Sequence, residues 1–212
     1  ASLYRRGVGN TTDLVQKEMF TLNDREGEEF CLRPEGTAGV VRSVIENGLF
    51  IEPMPLKLYY LGPFFRYEKP QAGRSREFVQ FGTEMFGSES PAADATAIAL
   101  AASIFKRLGL DNVKLHLNSI GCQECRPVYR QSLVSYYEEK KDKLCDTCRD
   151  RLGRNPLRLL DCKNPDCKDM AKDAPKTTEK LCECCENKFA RLKDITWLIL
   201  IRDAHRNDVQ LF

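Results

Sequence analysis

The sequence lacks a long hydrophobic run, and this absence argues against a membrane-spanning helix. The longest apolar stretch, Ile195–Ile201, is interrupted by Thr196 and is far shorter than the roughly 18 residues that a span requires. Excess charge of one sign is also missing. The formal net charge of +2 does not indicate a nucleic-acid-binding protein, although local basic patches stay open. The opening residues, ASLYRRGVGN, hold no apolar signal-peptide core, so we expect a cytoplasmic protein whose chain begins inside a longer one.

The most informative segment that is present runs from Tyr59 to Gly87 and is typical of a β-hairpin. Because side chains alternate along a strand, its even-numbered positions share one face. That face holds Phe64, Arg66, Glu68, Arg76, Phe78, Gln80, Gly82 and Glu84. The other face of the second strand, with Val79, Phe81, Thr83 and Met85, is expected to be core. The charged face is either a binding surface for a charged ligand or a solvated sheet face with cross-strand ion pairs.

Several residue types on the charged face suit a ligand that carries phosphate and an aromatic base. Arg66 can hold a phosphate or carboxylate through its bidentate fork. Glu68 can accept a hydrogen bond from an exocyclic amine, and the ring of Phe78 offers a base a surface for stacking. Gly82 leaves room for a ligand to approach the backbone. The basic loop over residues 70–75 can close over a polyphosphate.

Three stretches resemble a known family. FRYE, followed by a basic loop and REFVQFGTEMFG, resembles motif 2 of class II aminoacyl-tRNA synthetases, and the whole string resembles histidyl-tRNA synthetases in particular. LRPEGTAGVV at Leu32–Val41 resembles the amino-acid-binding segment of that family. NSIG at Asn118–Gly121 and RNPLRLLDCK at Arg154–Lys163 resemble its insertion domain. The resemblance runs from about Leu3 to about Arg191.

The resemblance implies a histidine site at one end of the hairpin. Glu35 and Thr37 would hold the α-amino group, Gln80 would help at the same end, and Glu84 would face the imidazole. Taken without the resemblance, Glu35 is a favourable acid in the first turn of a helix and Thr37 is a cap.

The resemblance also implies ATP as a substrate, together with Mg²⁺ that bridges phosphate oxygens. Arg66 would clamp the α-phosphate and is the implied catalytic residue. Glu68 would lie at the adenine, Arg74 and Arg76 near the terminal phosphates, and Phe78 against the base. The implied reaction activates histidine as histidyl-adenylate and then transfers it to tRNA(His).

The expected fold class is α+β, with an antiparallel class II synthetase-type sheet flanked by helices and a small, mostly helical insertion domain. We expect a partial catalytic domain over residues 1–120, a cysteine-rich insertion over 121–192 and a segment of uncertain origin over 193–212. Motifs 1 and 3 have no match, so the chain is expected to be part of a longer synthetase. The resemblance implies that this parent enzyme is a homodimer.

Local patterns place the elements of this fold. Hydrophobic patterns and the turn NDREG predict a hairpin from Leu14–Leu22 and Glu28–Arg33, and Pro34 is expected to open a helix through about Asn47. A second helix is predicted from Ser90–Pro91 to Gly109, and a short strand at Val113–Asn118. No function is assigned to His205.

Ten cysteines in a cytoplasmic protein argue against disulfides and favour a metal. Two CxxC pairs, Cys122–Cys125 and Cys145–Cys148, are separated by 19 residues, which is typical of a four-thiolate zinc site. The remaining cysteines of this region could supply a second site. The competing interpretation is a set of reduced thiols without metal.

Two other functions remain open at this point. One is the regulatory synthetase-like paralogue of histidine biosynthesis, the ATP phosphoribosyltransferase regulatory subunit, which keeps the fold without charging tRNA. Loss of the ATP-gripping arginines and of the insertion would indicate it, whereas Arg66, Arg74 and the insertion are all present. The other is a zinc-stabilised RNA-binding module in which the sheet is a passive scaffold.

Overall fold

The structure, a computed structural model, describes residues 1–10, 12–110 and 112–203. Contacts divide the chain into two compact units, Ala1–Glu89 and the residues from Ser90 onward. Composition predicts a change of character near Gly121, which lies inside the second unit. That predicted domain boundary stays a prediction, because the contacts report packing and not the origin of a segment.

The main elements of the first unit are two α-helices and two antiparallel hairpins. Helix α1 spans Ser2–Val8, strands β1 and β2 span Thr21–Asn23 and Glu29–Cys31, helix α2 spans Thr37–Glu46, and strands β3 and β4 span Leu56–Phe65 and Glu77–Phe86. The long hairpin pairs Leu56 with Phe86 at one end and Phe65 with Glu77 at the other. The hairpin predicted from motif 2 is therefore present, with slightly shorter strands.

The first predicted hairpin is only partly present. The NDREG turn forms as expected, since the Asp24 carboxylate accepts from the backbone N–H groups of Glu26 and Glu28 at 2.9 Å each. Leu14–Glu18, however, is a short π-helix and not a strand. The Gln16 N–H donates to the Thr12 carbonyl at 3.0 Å, so local helical bonding takes the place of a strand ladder.

Helix α2 begins at Thr37 and not at Pro34. The Glu35 carboxylate accepts from the backbone N–H groups of Thr37 and Ala38, at 2.6 and 3.0 Å. These bonds satisfy donors that the first turn of a helix leaves without an intrahelical partner. The residues before Gly36 therefore stay outside the helix.

The face of β4 that was expected to be core is largely exposed. Val79 is 71% exposed and Phe81 49% exposed, and on β3 the neighbouring Tyr59 and Leu61 are exposed as well. The expectation was wrong for this chain because it assumed a layer over the odd-numbered face. No element of the first unit covers that face.

The second unit is helical. Its helices are α3 at Pro91–Arg107, α4 at Cys125–Glu138, α5 at Asp146–Arg154, α6 at Pro165–Lys172 and α7 at Glu183–Asp203. Helices α3 and α7 pack against each other. The predicted start of α3 is confirmed, because the Ser90 hydroxyl accepts from the Ala92 N–H at 3.3 Å and Pro91 follows as the first helical residue.

The buried core of the second unit joins α4, α5 and α6. It consists of Tyr129, Leu133, Tyr137, Leu144, Cys148, Leu152, Leu159, Cys167 and Ala174. The strand predicted at Val113–Asn118 is absent: residues 112–120 are irregular. An extended segment needs a partner for its backbone groups, and no strand within the described residues pairs with it.

The predicted boundary at residue 193 lies inside α7, which runs without a break from Glu183 to Asp203. The described part of the C-terminal segment, residues 193–203, therefore belongs to this helix. Residues 204–212, including His205, lie outside the described residues. Among the helices that the structure describes, none combines the length and apolar character needed to cross a bilayer.

Candidate functional site

Tyr60 lies at the centre of the charged face of the β3–β4 hairpin, between two glycines. A Cβ added at Gly36 would come within 2.4 Å of the tyrosine ring, and a Cβ added at Gly82 within 2.1 Å. Gly82 pairs directly with Tyr60 in the register. The space at Gly82, which the sequence suggested for a ligand, is therefore filled by this ring.

Tyr60 is the site residue that sequence reasoning missed. The signal for it is the cross-strand pairing, because a tyrosine at an even-numbered position faces a glycine on the same face. Burial is the main cause that raises its pKa, and the nearby carboxylates of Glu84 and Glu35 act in the same direction, against the hydrogen bond with Thr37. The phenol is consequently neutral at physiological pH.

The four residues predicted to bind histidine lie around this tyrosine or at the start of α2. Thr37 Oγ1 donates to Glu84 Oε1 at 2.7 Å, and Gln80 Nε2 donates to the Tyr60 hydroxyl at 3.4 Å. Glu35 caps α2 through the bonds described above. Within the described residues neither Glu35 nor Glu84 forms a salt bridge, so the negative charge at this end of the face has no ion-pair partner and suits a cationic group.

The opposite end of the face is basic. Arg66 Nε donates to the Pro34 carbonyl at 2.9 Å, and its guanidinium carbon lies 5.3 Å from the centre of the Phe78 ring. Among the described residues this is the only hydrogen bond that the Arg66 side chain makes, although Glu68 lies 3.9 Å from Nη1. The guanidinium is thus oriented from two sides while other N–H groups remain for an anion.

Glu68 lies among the arginines of the hairpin tip. Arg74 Nη1 is 2.9 Å from Glu68 Oε2, and Arg76 Nε donates to the Glu68 carbonyl at 3.3 Å. The Arg76 guanidinium also lies 4.2 Å from the centre of the Tyr67 ring. Two guanidinium groups near the Glu68 carboxylate and a third at its backbone carbonyl leave this end with net positive charge.

Phe78 contributes packing as well as an aromatic surface. Its ring centre is 6.3 Å from that of Phe64, with the rings inclined at 31°. Together with the nearby Arg66 guanidinium, these contacts hold the ring in place. The hairpin therefore separates charge along one face, with carboxylates at one end, arginines at the other and aromatic rings between them.

The cysteines of the second unit form two groups of four. The outer group is Cys122, Cys125, Cys182 and Cys185, and the inner group is Cys145, Cys148, Cys162 and Cys167. Within each group all four sulfur atoms lie within 4.8 Å of one another. The predicted set of two CxxC pairs is wrong as a grouping, because each pair joins later cysteines and not the other pair.

Hydrogen bonding and burial divide the thiols of both groups. The pKa of Cys125 is lowered to about 6, chiefly because the Cys182 N–H donates to its sulfur at 3.0 Å. The pKa of Cys145 is also lowered, first by the backbone of Cys148. Burial raises the pKa of Cys148, and it raises that of Cys185 to about 12. Each group therefore contains a thiol with a lowered pKa, which ionises readily, and a thiol with a raised pKa, which ionises only beside a positive charge.

Comparison with known proteins decides the family. A sequence model of the family described as histidyl-tRNA synthetase matches residues 4–141. The chain belongs to this family. A histidine–tRNA ligase from Desulforamulus reducens is 53% identical over 191 residues, which are 90% of this chain and 46% of the relative. One from Moorella thermoacetica is 51% identical over 192 residues, which are 91% of this chain and 45% of the relative.

Solved structures of the histidyl-tRNA synthetase fold agree. The apo histidyl-tRNA synthetase of S. aureus superposes with a TM-score of 0.66 at 36% identity, over 87% of this chain and 43% of that one. A Bacillus halodurans protein described as an ATP phosphoribosyltransferase regulatory subunit/histidyl-tRNA synthetase gives 0.59 at 21% identity, over 98% of this chain and 56% of that one, which shows a shared fold alone. The chain spans about half the length of the curated relatives it matches.

These findings confirm the α+β class II fold and the histidyl-tRNA synthetase family that the motifs indicated. The structure places the residues predicted to bind histidine at one end of the hairpin face, and those predicted to bind ATP at the other. The cysteine groups can hold a metal, with ligand sets that differ from the predicted one.

Proposed function

We propose that the chain is the part of a histidine–tRNA ligase that binds histidine and ATP and forms histidyl-adenylate, which the full-length enzyme passes to tRNA(His). The separation of charge along the hairpin face carries this proposal. A zwitterionic amino acid and a polyphosphate need opposite charges at the two ends of one site, and Glu35 and Glu84 lie at one end with Arg66 at the other.

The acidic end is assigned to histidine. Glu35 and Thr37 hold the α-ammonium group, Gln80 assists through its amide, and Glu84 accepts from an imidazole N–H. Glu84 already accepts a hydrogen bond from Thr37, so its carboxylate is oriented before histidine arrives. An amino acid whose side chain lacks a donor leaves a desolvated carboxylate without its partner, and this penalty gives selectivity.

The basic end is assigned to Mg-ATP as a substrate. Arg66 binds the α-phosphate and acts as the catalytic residue, Glu68 accepts from the adenine amine, and Arg74 and Arg76 bind the terminal phosphates. Phe78 supplies the surface for the base. Arg74 is paired with Glu68 in the present structure, so ATP binding requires that this exposed ion pair rearrange.

Activation is a displacement at phosphorus. A histidine carboxylate oxygen forms a bond to the α-phosphorus, the bond to the bridging oxygen breaks, and pyrophosphate leaves with the electron pair. No proton has to move in this step, so the contribution of the protein is alignment and charge stabilisation. Arg66 stabilises the charge on the α-phosphate oxygens, and its contacts with Pro34 and Phe78 keep it oriented.

Further parts of the proposal follow from the family. The full-length enzyme acts as a homodimer in the cytoplasm, without a membrane partner. We also propose structural Zn²⁺ at the cysteine groups, because four thiolates are a ligand set that closed zinc sites use. The regulatory paralogue is less well supported, because the curated relatives described above are named histidine–tRNA ligases.

Arg66→Ala in the full-length enzyme that contains this segment tests the proposal. We expect histidine-dependent pyrophosphate exchange to fall by about 100-fold or more, since a preorganised donor to a developing charge is worth roughly 3 kcal/mol. Arg25→Ala is the matched control, because Arg25 is an exposed arginine at the β1–β2 turn. Exchange within twofold of wild type in Arg66→Ala would contradict the assignment.

A further inference from the structure

We infer that the region from Gly121 to Cys185 holds two structural zinc ions, one in the outer cysteine group and one in the inner group. These two ions extend the zinc binding included in the proposed function by giving its number of ions, their ligands and their separate roles. Zinc binding does not depend on ligase activity. A negative result for metal content can therefore be distinguished from a negative result for pyrophosphate exchange.

Distances within the groups match a tetrahedral thiolate site. A zinc–sulfur bond of about 2.3 Å places the corners of a tetrahedron about 3.8 Å apart. The Cys122 and Cys125 sulfurs are 3.6 Å apart, and Cys122 and Cys182 are 3.9 Å apart. In the inner group Cys145 and Cys162 are 3.8 Å apart. These separations are far longer than the roughly 2.05 Å of a disulfide bond.

The two groups share one construction. Each contains two cysteines from the first turns of two helices and two cysteines from the segments just before those helices. Cys125 and Cys185 belong to the first turns of α4 and α7, and Cys148 and Cys167 to those of α5 and α6. The N-terminal end of a helix favours a thiolate over a thiol. Both groups thus gather four sulfur atoms where two helices begin.

Backbone donors support the same conclusion. Glu124 N–H donates to the Cys122 sulfur at 3.4 Å, and Cys182 N–H donates to Cys125 at 3.0 Å. In the inner group, Cys145 N–H donates to Cys167 at 3.4 Å. Four thiolates around a divalent ion carry a net charge of −2, and amide donors to sulfur disperse that charge.

The sites have different structural roles. Cys148 and Cys167 of the inner group are almost fully buried members of the α4–α6 core, so an ion there lies inside the core. The outer group joins residues 60 positions apart, because Cys122 meets Cys182. An ion there ties the beginning of the helical region to the start of α7.

The outer site also explains the glycine before it. Gly121 has a φ of +66°, and a Cβ at this position would come within 2.6 Å of the Cys125 Cβ. The chain therefore turns sharply just before its first thiolate, in a conformation that glycine adopts at little cost.

Elemental analysis of the reduced chain, expressed in zinc-containing medium and purified without chelator, tests the inference. We expect two zinc ions per chain. Cys185→Ser should remove the outer ion and Cys148→Ser the inner one, each leaving about one. Cys184→Ser is the control: this exposed neighbour of Cys185 belongs to neither group, so two zinc ions should remain.

Several results would overturn the inference. They are a zinc content near zero, stoichiometric iron in place of zinc, or a single zinc ion in the wild type that remains unchanged in both Cys182→Ser and Cys162→Ser. The last result would restore the four-thiolate set formed by the first two CxxC pairs. Should Cys148→Ser fail to fold, titration of the metal-free wild-type chain with Co²⁺ decides the number, since thiolate-to-cobalt absorption must saturate at two equivalents.

Discussion

Tyr60 and its two glycines determine the shape of the candidate histidine site. The ring occupies positions where Gly36 and Gly82 have no side chain, and its hydroxyl reaches Gln80. Glycine in a strand usually costs stability, because the backbone is freer when unfolded and the position packs no side chain. Here it permits an aromatic ring to lie across the partner strand.

Gly82→Ala is expected to destabilise the β3–β4 hairpin by about 1–3 kcal/mol, because the new methyl group overlaps the Tyr60 ring. Hydrogen exchange of the hairpin amides, measured by mass spectrometry, reports the change. Gly39→Ala on α2 is the control, since its Cβ meets nothing within 4 Å and should stabilise the helix by up to about 1 kcal/mol. The cost at Gly82 should shrink in a Tyr60→Ala background; an equal cost in both backgrounds would count against the overlap.

Glu84→Gln separates the charge of the acidic end from its shape. The glutamine oxygen can still accept from Thr37, but the negative charge is lost. Histidine affinity should fall by about tenfold or more in the full-length enzyme, since hydrogen bonds to charged groups are worth roughly 1.5–3 kcal/mol. Calorimetry should show ATP affinity within twofold of wild type. Glu77→Gln, at an exposed position of the same strand, should leave both unchanged; equal losses for both ligands would place Glu84 elsewhere.

At the scale of elements, local signals predicted the structure well where one segment supplies its own partners. The motif 2 hairpin and α3 are present because alternation, turn residues and a Ser-Pro helix start act within a few residues. The strand at Val113–Asn118 failed because its hydrogen-bond partner would have to come from elsewhere. Tyr60 was missed because its neighbour Gly82 is set by pairing between strands and not by sequence distance.

Tyr136 and Tyr137 are adjacent on α4, but their hydroxyl groups differ in hydrogen bonding. The Tyr136 hydroxyl donates to the Met170 carbonyl at 2.7 Å. The Tyr137 hydroxyl is buried and has no partner among the described residues. A buried polar group without a partner costs about 1–3 kcal/mol, whereas an ordinary hydrogen bond contributes about 1 kcal/mol.

Tyr137→Phe is therefore expected to stabilise the second unit by about 1 kcal/mol or more, and Tyr136→Phe to destabilise it by about 1 kcal/mol. Urea unfolding followed by Trp197 fluorescence measures both. The pH dependence adds a second test, because burial raises the Tyr137 pKa from 10.0 to about 12.

A group whose pKa is higher in the folded state stabilises it below the unfolded pKa, and this contribution is lost as the pH rises through the folded pKa. The free energy of unfolding of wild type and of Tyr136→Phe should accordingly fall between pH 10 and about 12. The fall should be smaller in Tyr137→Phe, which lacks the buried phenol. The same alkaline decline in all three proteins would argue against a buried phenol as its source.

At the scale of the whole molecule, the exposed odd-numbered face of the hairpin is expected to affect self-association in solution. Tyr59, Leu61, Val79 and Phe81 form an apolar stripe, with the Tyr59 and Phe81 ring centres 6.4 Å apart. Contiguous apolar surface of this kind promotes association.

Val79→Thr combined with Phe81→Thr keeps residues that suit a strand but lowers the apolar area. Sedimentation velocity over a concentration series should show less self-association than for wild type. Val128→Thr removes an exposed valine from α4 instead and should change little. Identical behaviour of wild type and the double variant would mean that the stripe does not drive association.

The cysteine groups mark the limit of prediction from sequence at this scale. Spacing identified four thiolates of the right kind, but two CxxC pairs 19 residues apart cannot reveal that each has a nearer partner in space. That choice depends on how α4 to α7 pack, which no local pattern encodes.

The nested order of the groups has a consequence for synthesis on the ribosome. Cys122, Cys125, Cys145 and Cys148 emerge first, and 37 further residues must be added before Cys185 completes the outer group. At roughly 5–20 residues per second this takes about 2–7 s, during which the nascent chain offers a complete but incorrect set of four thiols.

The length of helix α4 disfavours this incorrect grouping of four thiols. Its 14 residues extend about 21 Å once helical. Because each residue spans at most about 3.6 Å, the short connection to Cys145 would have to be almost fully extended to return to Cys125. Early folding of this helix therefore reserves the first cysteine pair for partners that have not yet been translated.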